Sequence, residues 1–307
     1  CIEESVRLIR ERVGNSTAVA AASGGVDSTT SALLGHRALG GKKLAVVFLD
    51  DGLMRQGEPA SVLESYKALG LTPKLFDVSD EFFAALARLS DPEEKRKAFR
   101  ATFYTALSKI VREMKARYLI QGTIAADVIE TKRGVKTQHN VLDQIGIVTS
   151  DKYGYHLVEP LRDLYKDQVR LVAKALGLPI EGVNRRPFPG PGLSIRVLGE
   201  VTREGIDLVR RATAIVEEGT ADLQCFQAFA VLARDRATGL SKDGGRLFGN
   251  IVIIRVVDSI NAMTASPSQL PWDRLEVIRK NILAELPSVT RVLYDVTPKP
   301  PATIEFE

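Results

Sequence analysis

The order of apolar patterns along this chain predicts an α/β protein, a parallel twisted sheet with helices on both faces, followed by a smaller C-terminal α+β unit. Three observations carry that prediction. Five short runs rich in Val, Leu and Ile alternate with longer stretches of helical periodicity between residues 17 and 176, the alternation that a parallel sheet with helical crossovers requires. At RRPFPGPGL, 185–193, three prolines and two glycines fall within six residues, which disfavours both helix and ladder. Beyond that point strands and helices no longer alternate strictly. With 307 residues and 45% apolar content, the chain is long enough for two cores, and the expected domains are 1–185 and 186–307.

Each element follows from its pattern. IEESVRLIRERV near the start alternates charge as a solvated helix does. The buried strands are 17–22, 44–50, 73–79, 117–123 and 156–161, short apolar runs of the kind parallel sheets bury on both faces. Between them lie helices over 27–39, 57–69 and 92–116, and a further one over 165–176 with Val169, Leu171, Val172 and Leu176 on one face. In the second unit the expectations are a strand near 195–199, a helix over 203–218, strands near 226–232 and 251–258, a helix over 271–286, and strands over 289–297 and 302–307.

Composition removes several classes of function. A net charge of +4, with acidic and basic residues interspersed, does not suggest a nucleic-acid partner. No apolar run reaches the roughly 18–20 residues that span a bilayer. The first residues do not resemble a signal peptide, so a cytoplasmic protein without membrane contact is expected. Cys1 and Cys225 are the two cysteines, too few and too far apart for a disulfide framework or a Cys-based zinc site.

The segment Ser23-Gly24-Gly25-Val26-Asp27-Ser28 follows the first predicted strand and opens the first crossover helix. Paired glycines let backbone N–H groups converge, and a helix start adds unsatisfied donors and the positive dipole end. That combination suits a phosphate or pyrophosphate. It is neither GxxxxGK[ST] nor GxGxxG, and serine hydroxyls stand where the Walker lysine would act. Loops leaving the strands after 22, 50, 123 and 161 are expected to converge on one site, as ligands of parallel sheets bind beyond the carboxyl ends of the strands.

SGGVDS resembles the pyrophosphate loop of the N-type ATP pyrophosphatases. FLDDGLMRQGE (48–58), DPEEKRK (91–97), YLIQGTIAADVIE (118–130), EPLRDLYKDQVR (159–170), RPFPGPGLSIRVLGEVT (186–202) and RVLYDVTPKPPATIEFE (291–307) resemble the ATP pyrophosphatase portion of the GMP synthetase family. The resemblance runs over nearly the whole chain. It implies that ATP adenylylates XMP, that ammonia then displaces AMP to give GMP, and that Mg²⁺ bridges the phosphates. It assigns ATP to Ser23, Gly24, Gly25, Val26, Asp27, Ser28, Met54, Arg55, Gly122 and Thr123, and Mg²⁺ to Asp27 and Asp127. Lys136, Asp127 and His139 are the implied catalytic residues. Lys136 and His139 fall in the aperiodic stretch 130–146, a length typical of a lid, in which Gln138 replaces one family histidine and a GGLP turn is absent. Pro189, Gly190, Gly192, Gln227, Lys299, Ile304 and Glu305 are the implied XMP contacts, and a homodimer through the C-terminal domain is implied as well.

Two further departures are ATGLSKDGGRLFG at 237–249 and MTASPSQLPW at 263–272. No cysteine sits on the glycine-flanked elbow a glutaminase needs, so ammonia is expected to arrive free or from a separate glutaminase subunit, as in the two-subunit archaeal-type enzymes. The competing readings are a related ligase acting on another purine-like acceptor and a non-catalytic ATP-binding subunit.

Overall fold

The computed structural model describes residues 2–132, 148–179, 186–241, 243–260 and 262–307. The chain divides into two compact units. The first comprises Cys1–Gly52, Gly57–Phe82 and Phe99–Arg185, the second Leu53–Gln56, Phe83–Ala98 and Arg186–Glu307.

In the first unit β1 (Ala18–Ala22), β2 (Leu44–Asp50), β3 (Lys74–Asp77), β4 (Tyr118–Ile120) and β5 (His156–Val158) form one sheet in the order β3-β2-β1-β4-β5. Every pairing in it is parallel. The helices of this unit include α1 (Ile2–Val13), α2 (Val26–Leu39), α3 (Glu58–Ala68), α6 (Ala125–Lys132), α7 (Thr149–Tyr153) and α8 (Lys166–Ala175), while α4 (Ser79–Leu86) and α5 (Pro92–Glu113) are each divided between the two units. β1 is the most enclosed strand: Ala18, Val19 and Ala20 are at most 1% exposed. Small side chains there let α2 lie close, and Gly35 of α2 extends this, since a Cβ on it would stand 2.9 Å from Ile120 Cδ1. α2 and α8 meet through Val26, Ala173 and Leu178.

The second unit is built on a four-stranded sheet. β6 (Gln227–Leu240) and β7 (Arg246–Asp258) pair antiparallel. β8 (Ser266–Pro267) adds antiparallel to β7 and β9 (Val289–Tyr294) adds parallel to it, so the sheet is mixed. Helices α9 (Arg203–Gly219) and α10 (Trp272–Glu285) pack with it. Thr202 caps α9, its hydroxyl accepting the Gly205 N–H at 3.0 Å.

The strands and crossover helices expected for the first unit are present, each within a few residues of its predicted bounds, but the edge strands β3 and β5 are not buried as expected: Lys74, Leu75, Asp77 and His156 are exposed. Two expectations for the second unit are corrected. Residues 195–199 do not form a strand: Gly192–Arg196 is a 3₁₀ turn, and one isolated bridge joins Val197 to Leu232. All five residues of the turn are buried, an outcome an alternating half-exposed strand cannot give. Residues 302–307 form no strand either. Their period of two is real, with Ile304 and Phe306 packed on Phe229, Val231 and Val257. Side chains of Glu305 and Glu307, rather than a backbone ladder, fix the other face.

Candidate active site

The strand order reverses direction at β1, whose neighbours β2 and β4 lie on opposite sides. Sheets of this type hold their ligands at the carboxyl ends of the strands beside such a reversal. The loop after β1 is Ser23-Gly24-Gly25. Gly24 has φ 74°, and a Cβ there would meet Val62 Cγ2 at 2.5 Å, so both conformation and space require glycine. Gly25 is the N-cap of α2. It has no side chain to satisfy the first-turn N–H groups, which also lack intrahelical partners. Those donors and the helix dipole face an anion placed over the loop.

The two serines close the loop on itself. Ser23 Oγ and Ser28 Oγ are 2.8 Å apart, the Gly25 N–H donates to Ser23 Oγ at 3.4 Å, and Ser28 Oγ donates to the Gly25 carbonyl at 3.0 Å. Thr29 Oγ1 donates to the same carbonyl at 2.9 Å and lies 3.1 Å from the hydroxyl of buried Tyr66. The loop after β4 then meets the first turn of α2 directly. A Cβ on Gly122 would sit 2.7–2.8 Å from the backbone of Asp27 and Ser28. Thr123 Oγ1 donates to Glu159 Oε1 at 2.5 Å, and Arg162 holds Glu159 Oε2 at 2.6 Å. Of the residues 23–28, 122 and 123 assigned together from sequence, Gly122 is thus brought against the backbone of Asp27 and Ser28.

Asp27 lies in the first turn of α2 and makes a contact that sequence reasoning missed. Lys166, at the start of α8, places Nζ 2.7 Å from Asp27 Oδ2. The pair spans 139 positions, so no local spacing could reveal it; only the family-like stretch EPLRDLYKDQVR held a signal. Asp27 Oδ1 is buried and has no hydrogen-bond partner among the described residues. A buried carboxylate oxygen without a partner is costly unless a ligand completes it. This donor fits Mg²⁺, a hard cation that takes one or two carboxylates and completes its shell with phosphate oxygens and water. Among the described residues there is no group of three or more His, Cys, Asp or Glu that could hold a metal. Asp127 is engaged differently: its Oδ2 accepts the Ile124 N–H at 3.0 Å, within the first turn of α6. Lys136, Gln138, His139 and Asn140 lie outside the described residues.

The second unit gathers the remaining candidates around one buried guanidinium. Arg196, 1% exposed, grips Glu305 with both ends, Nε to Oε2 at 3.0 Å and Nη2 to Oε1 at 2.8 Å. Gln227 Nε2 donates to Glu305 Oε1 at 3.2 Å and to the Pro187 carbonyl at 3.0 Å. The Arg196 guanidinium lies 4.0 Å from the Phe229 ring centre and 5.1 Å from that of Phe188. Arg55 approaches the same Phe188 ring at 4.4 Å and pairs with Glu217 at 2.9 Å. Met54 and Arg55, assigned to ATP from sequence, therefore belong to the second unit, and the Met54 carbonyl accepts from Arg210 at 2.9 Å. Gly192 has φ 62°, and a Cβ on it would strike the Leu53 carbonyl oxygen at 2.5 Å. Its glycine is required by that packing. Pro189 accepts the Gly192 N–H at 3.0 Å, while Gly190 is exposed.

Lys299 Nζ donates to the Ala262 carbonyl at 2.8 Å, and Ile304 is buried with Phe229 and Val257. Two more buried cations secure this tail. Arg255 donates to the Thr297 carbonyl at 2.6 Å and pairs with Asp295 at 2.9 Å. Lys95 donates to the Val197 carbonyl at 2.8 Å and to Glu307 Oε2 at 2.5 Å. Burial pushes the Lys95 ammonium below its usual range and the Glu307 carboxyl above its own, each opposed by the hydrogen bond between them. Among the described residues no helix is long and apolar enough to cross a membrane. Cys225 is half-buried, and burial raises its thiol.

A parallel sheet with a glycine-serine anion loop at its switch point defines a nucleotide-binding α/β enzyme domain. The NAD synthase family model matches residues 1–190, and the model of the GMP synthase C terminal domain matches residues 214–306. The GMP synthase [glutamine-hydrolyzing] subunit of Methanopyrus kandleri is 48% identical over 314 residues, covering 100% of this chain and 98% of the relative. The proteins of the same name from Pyrococcus furiosus and Archaeoglobus fulgidus are also 48% identical, covering 100% of this chain and 96% and 98% of theirs. The chain belongs to this family of GMP synthase subunits.

Proposed function

We propose that this protein is a ligase that aminates XMP to GMP at the expense of ATP. What supports the reading is one conjunction: an anion loop, closed by the Gly122 contact, in a chain aligned end to end with GMP synthase subunits. The C2 oxygen of XMP attacks the α-phosphorus of ATP, the Pα–O–Pβ bond breaks, and pyrophosphate leaves with the electron pair. Ammonia then adds at C2, the C2–O bond breaks, AMP departs with that pair, and the surplus proton passes to solvent. Amination requires this activation because an amide-like oxygen is a poor leaving group and AMP a good one.

In this reading the N–H groups at Ser23–Ser28 hold the departing pyrophosphate, stabilising charge as it accumulates. Mg²⁺, when bound through Asp27, supplies charge neutralisation at the phosphate oxygens. Lys136 and His139 are assigned to the reacting phosphoryl group and to proton relay, and Asp127 to the metal side. Residues 1–185 carry ATP; residues 186–307 carry XMP through Pro189, Gly190, Gly192, Gln227, Lys299, Ile304 and Glu305. Glu305, oriented by Arg196, suits purine N–H donors. The reading extends to a cytoplasmic homodimer paired through the C-terminal domain, with ammonia from a separate glutaminase subunit.

The test supplies the isolated chain with XMP, ATP, Mg²⁺ and ammonium chloride. GMP, AMP and pyrophosphate in equal amounts are expected, with no turnover when glutamine replaces ammonium. Pyrophosphate release that ignores XMP would overturn the assignment.

A further inference from the structure

We propose a second anion site in the second unit, a cleft of about 460 Å³ ringed by Arg88, Arg234 and Arg236, that takes a small phosphate-bearing anion. The three guanidinium groups have no carboxylate partner among the described residues. Glu200 is the one carboxylate among the described lining residues, and its Oε1 is engaged by the Arg88 backbone N–H at 3.1 Å. The cleft therefore carries an excess of positive charge, and like charges held around one space repel until an anion joins them. Ser90 and Asn250 are neutral polar lining residues, the Asn250 amide also donating to Ser288 Oγ at 3.2 Å, and Val197, Leu198 and Leu232 give an apolar floor. This volume is in the range of small-molecule pockets, roughly 300–1,000 Å³.

Each arginine is held there by a local departure from regular structure. Arg88 has φ 64°, a left-handed conformation that glycine adopts freely and arginine does not. Backbone strain of this kind concentrates where a side chain has a task. The β6–β7 ladder loses register between Leu232 and Arg236, and such a break re-aims the side chains within it. Gly199, at φ 88°, lies under Arg234: a Cβ there would stand 3.3 Å from Arg234 Cγ and Cδ. Arg236 is steadied over the Phe248 ring at 5.6 Å. A left-handed arginine, a broken ladder and a glycine shelf converge on one cleft, and a bound phosphate gives all three a common reason.

The site is independent of the ligase reaction proposed above. Calorimetric titration of the full chain with pyrophosphate and, separately, with GMP tests it by counting sites. Wild type is expected to bind at least one of the two at one more site per chain than the double variant Arg234→Ser, Arg236→Ser. Occupancy by pyrophosphate assigns recognition to the phosphate alone; occupancy by GMP only adds the nucleoside on the apolar floor. Arg88→Gly is expected to melt at a higher temperature than wild type while binding at this site at least tenfold more weakly, which separates lost recognition from lost folding. Amination of XMP by the same preparations should be unchanged in all variants, so its failure would speak to the reaction and not to the cleft. Equal site numbers and equal affinities in wild type and variants, for both titrants, would overturn the proposal.

Discussion

At the scale of single residues, the loop depends on atoms that are missing as much as on those present. Gly122 exists because a Cβ would enter the backbone of Asp27 and Ser28 at 2.7–2.8 Å. Gly122→Ala is therefore expected to destabilise the first unit by about 1–3 kcal/mol, the usual cost of overpacking, and to weaken ATP binding in the same preparation; denaturant titration and calorimetry read the two effects. Lys166 and Asp27 make a different case. Their side chains are 43% and 26% exposed, so the ion pair itself contributes at most about 1 kcal/mol to stability. Lys166→Ala should leave the melting temperature nearly unchanged. Asp27→Asn is expected to lower kcat for XMP-dependent pyrophosphate release by about a hundredfold, the scale of one lost electrostatic stabiliser, and to raise the Mg²⁺ concentration for half-maximal rate. An unchanged Mg²⁺ requirement would remove Asp27 from the metal. The glycines and serines of this loop were legible in sequence because their chemistry is local; Lys166 was not, because helix packing through Val26 and Ala173 delivers it.

At the scale of elements, legibility follows the range of the forces involved. β1, β2 and β4 could be read because a strand buried on both faces must be an apolar run, whatever it packs against; the edge strands β3 and β5 are partly exposed. The 3₁₀ turn at Gly192–Arg196 could not, since LSIRVL has strand-like composition and its true conformation is set by bringing Arg196 to Glu305, 109 positions away. Likewise TIEFE keeps strand alternation without a strand neighbour. β9 offers a pH test. Burial pushes the Tyr294 phenol up to about 12, with the charge of Asp258 adding to it, and its hydroxyl donates to the Ser268 carbonyl at 2.6 Å. Burial also raises Tyr66, Tyr104 and Tyr155. A folded-state pKa above the unfolded one means that the native protein holds protons the unfolded chain has released. This stabilisation is complete below about pH 10, the ordinary tyrosine value, and is lost as pH rises through about 12 for Tyr294. Melting temperature should fall across that window, and Tyr294→Phe should make the fall shallower; parallel curves would rule out its contribution.

At the scale of the whole molecule, the second unit is held by buried charge as well as apolar packing. Arg196, Arg255 and Lys95 are each at most 1% exposed, and each meets a carboxylate from the stretch 295–307. Removing one partner leaves an uncompensated buried charge, so Glu305→Ala is expected to destabilise by about 3–5 kcal/mol. Replacing Lys95 and Glu307 together by Met and Leu should cost much less, as buried pairs replaced whole often do; thermal unfolding of the two variants checks the contrast. Lys95 and Glu307 lie 212 positions apart, and the unit draws on Leu53–Gln56, Phe83–Ala98 and Arg186–Glu307. During synthesis the ribosome therefore delivers the ammonium long before its counter-ion. Until residues 295–307 emerge, that lysine lacks its counter-ion, and the unit acquires its final shape only after them.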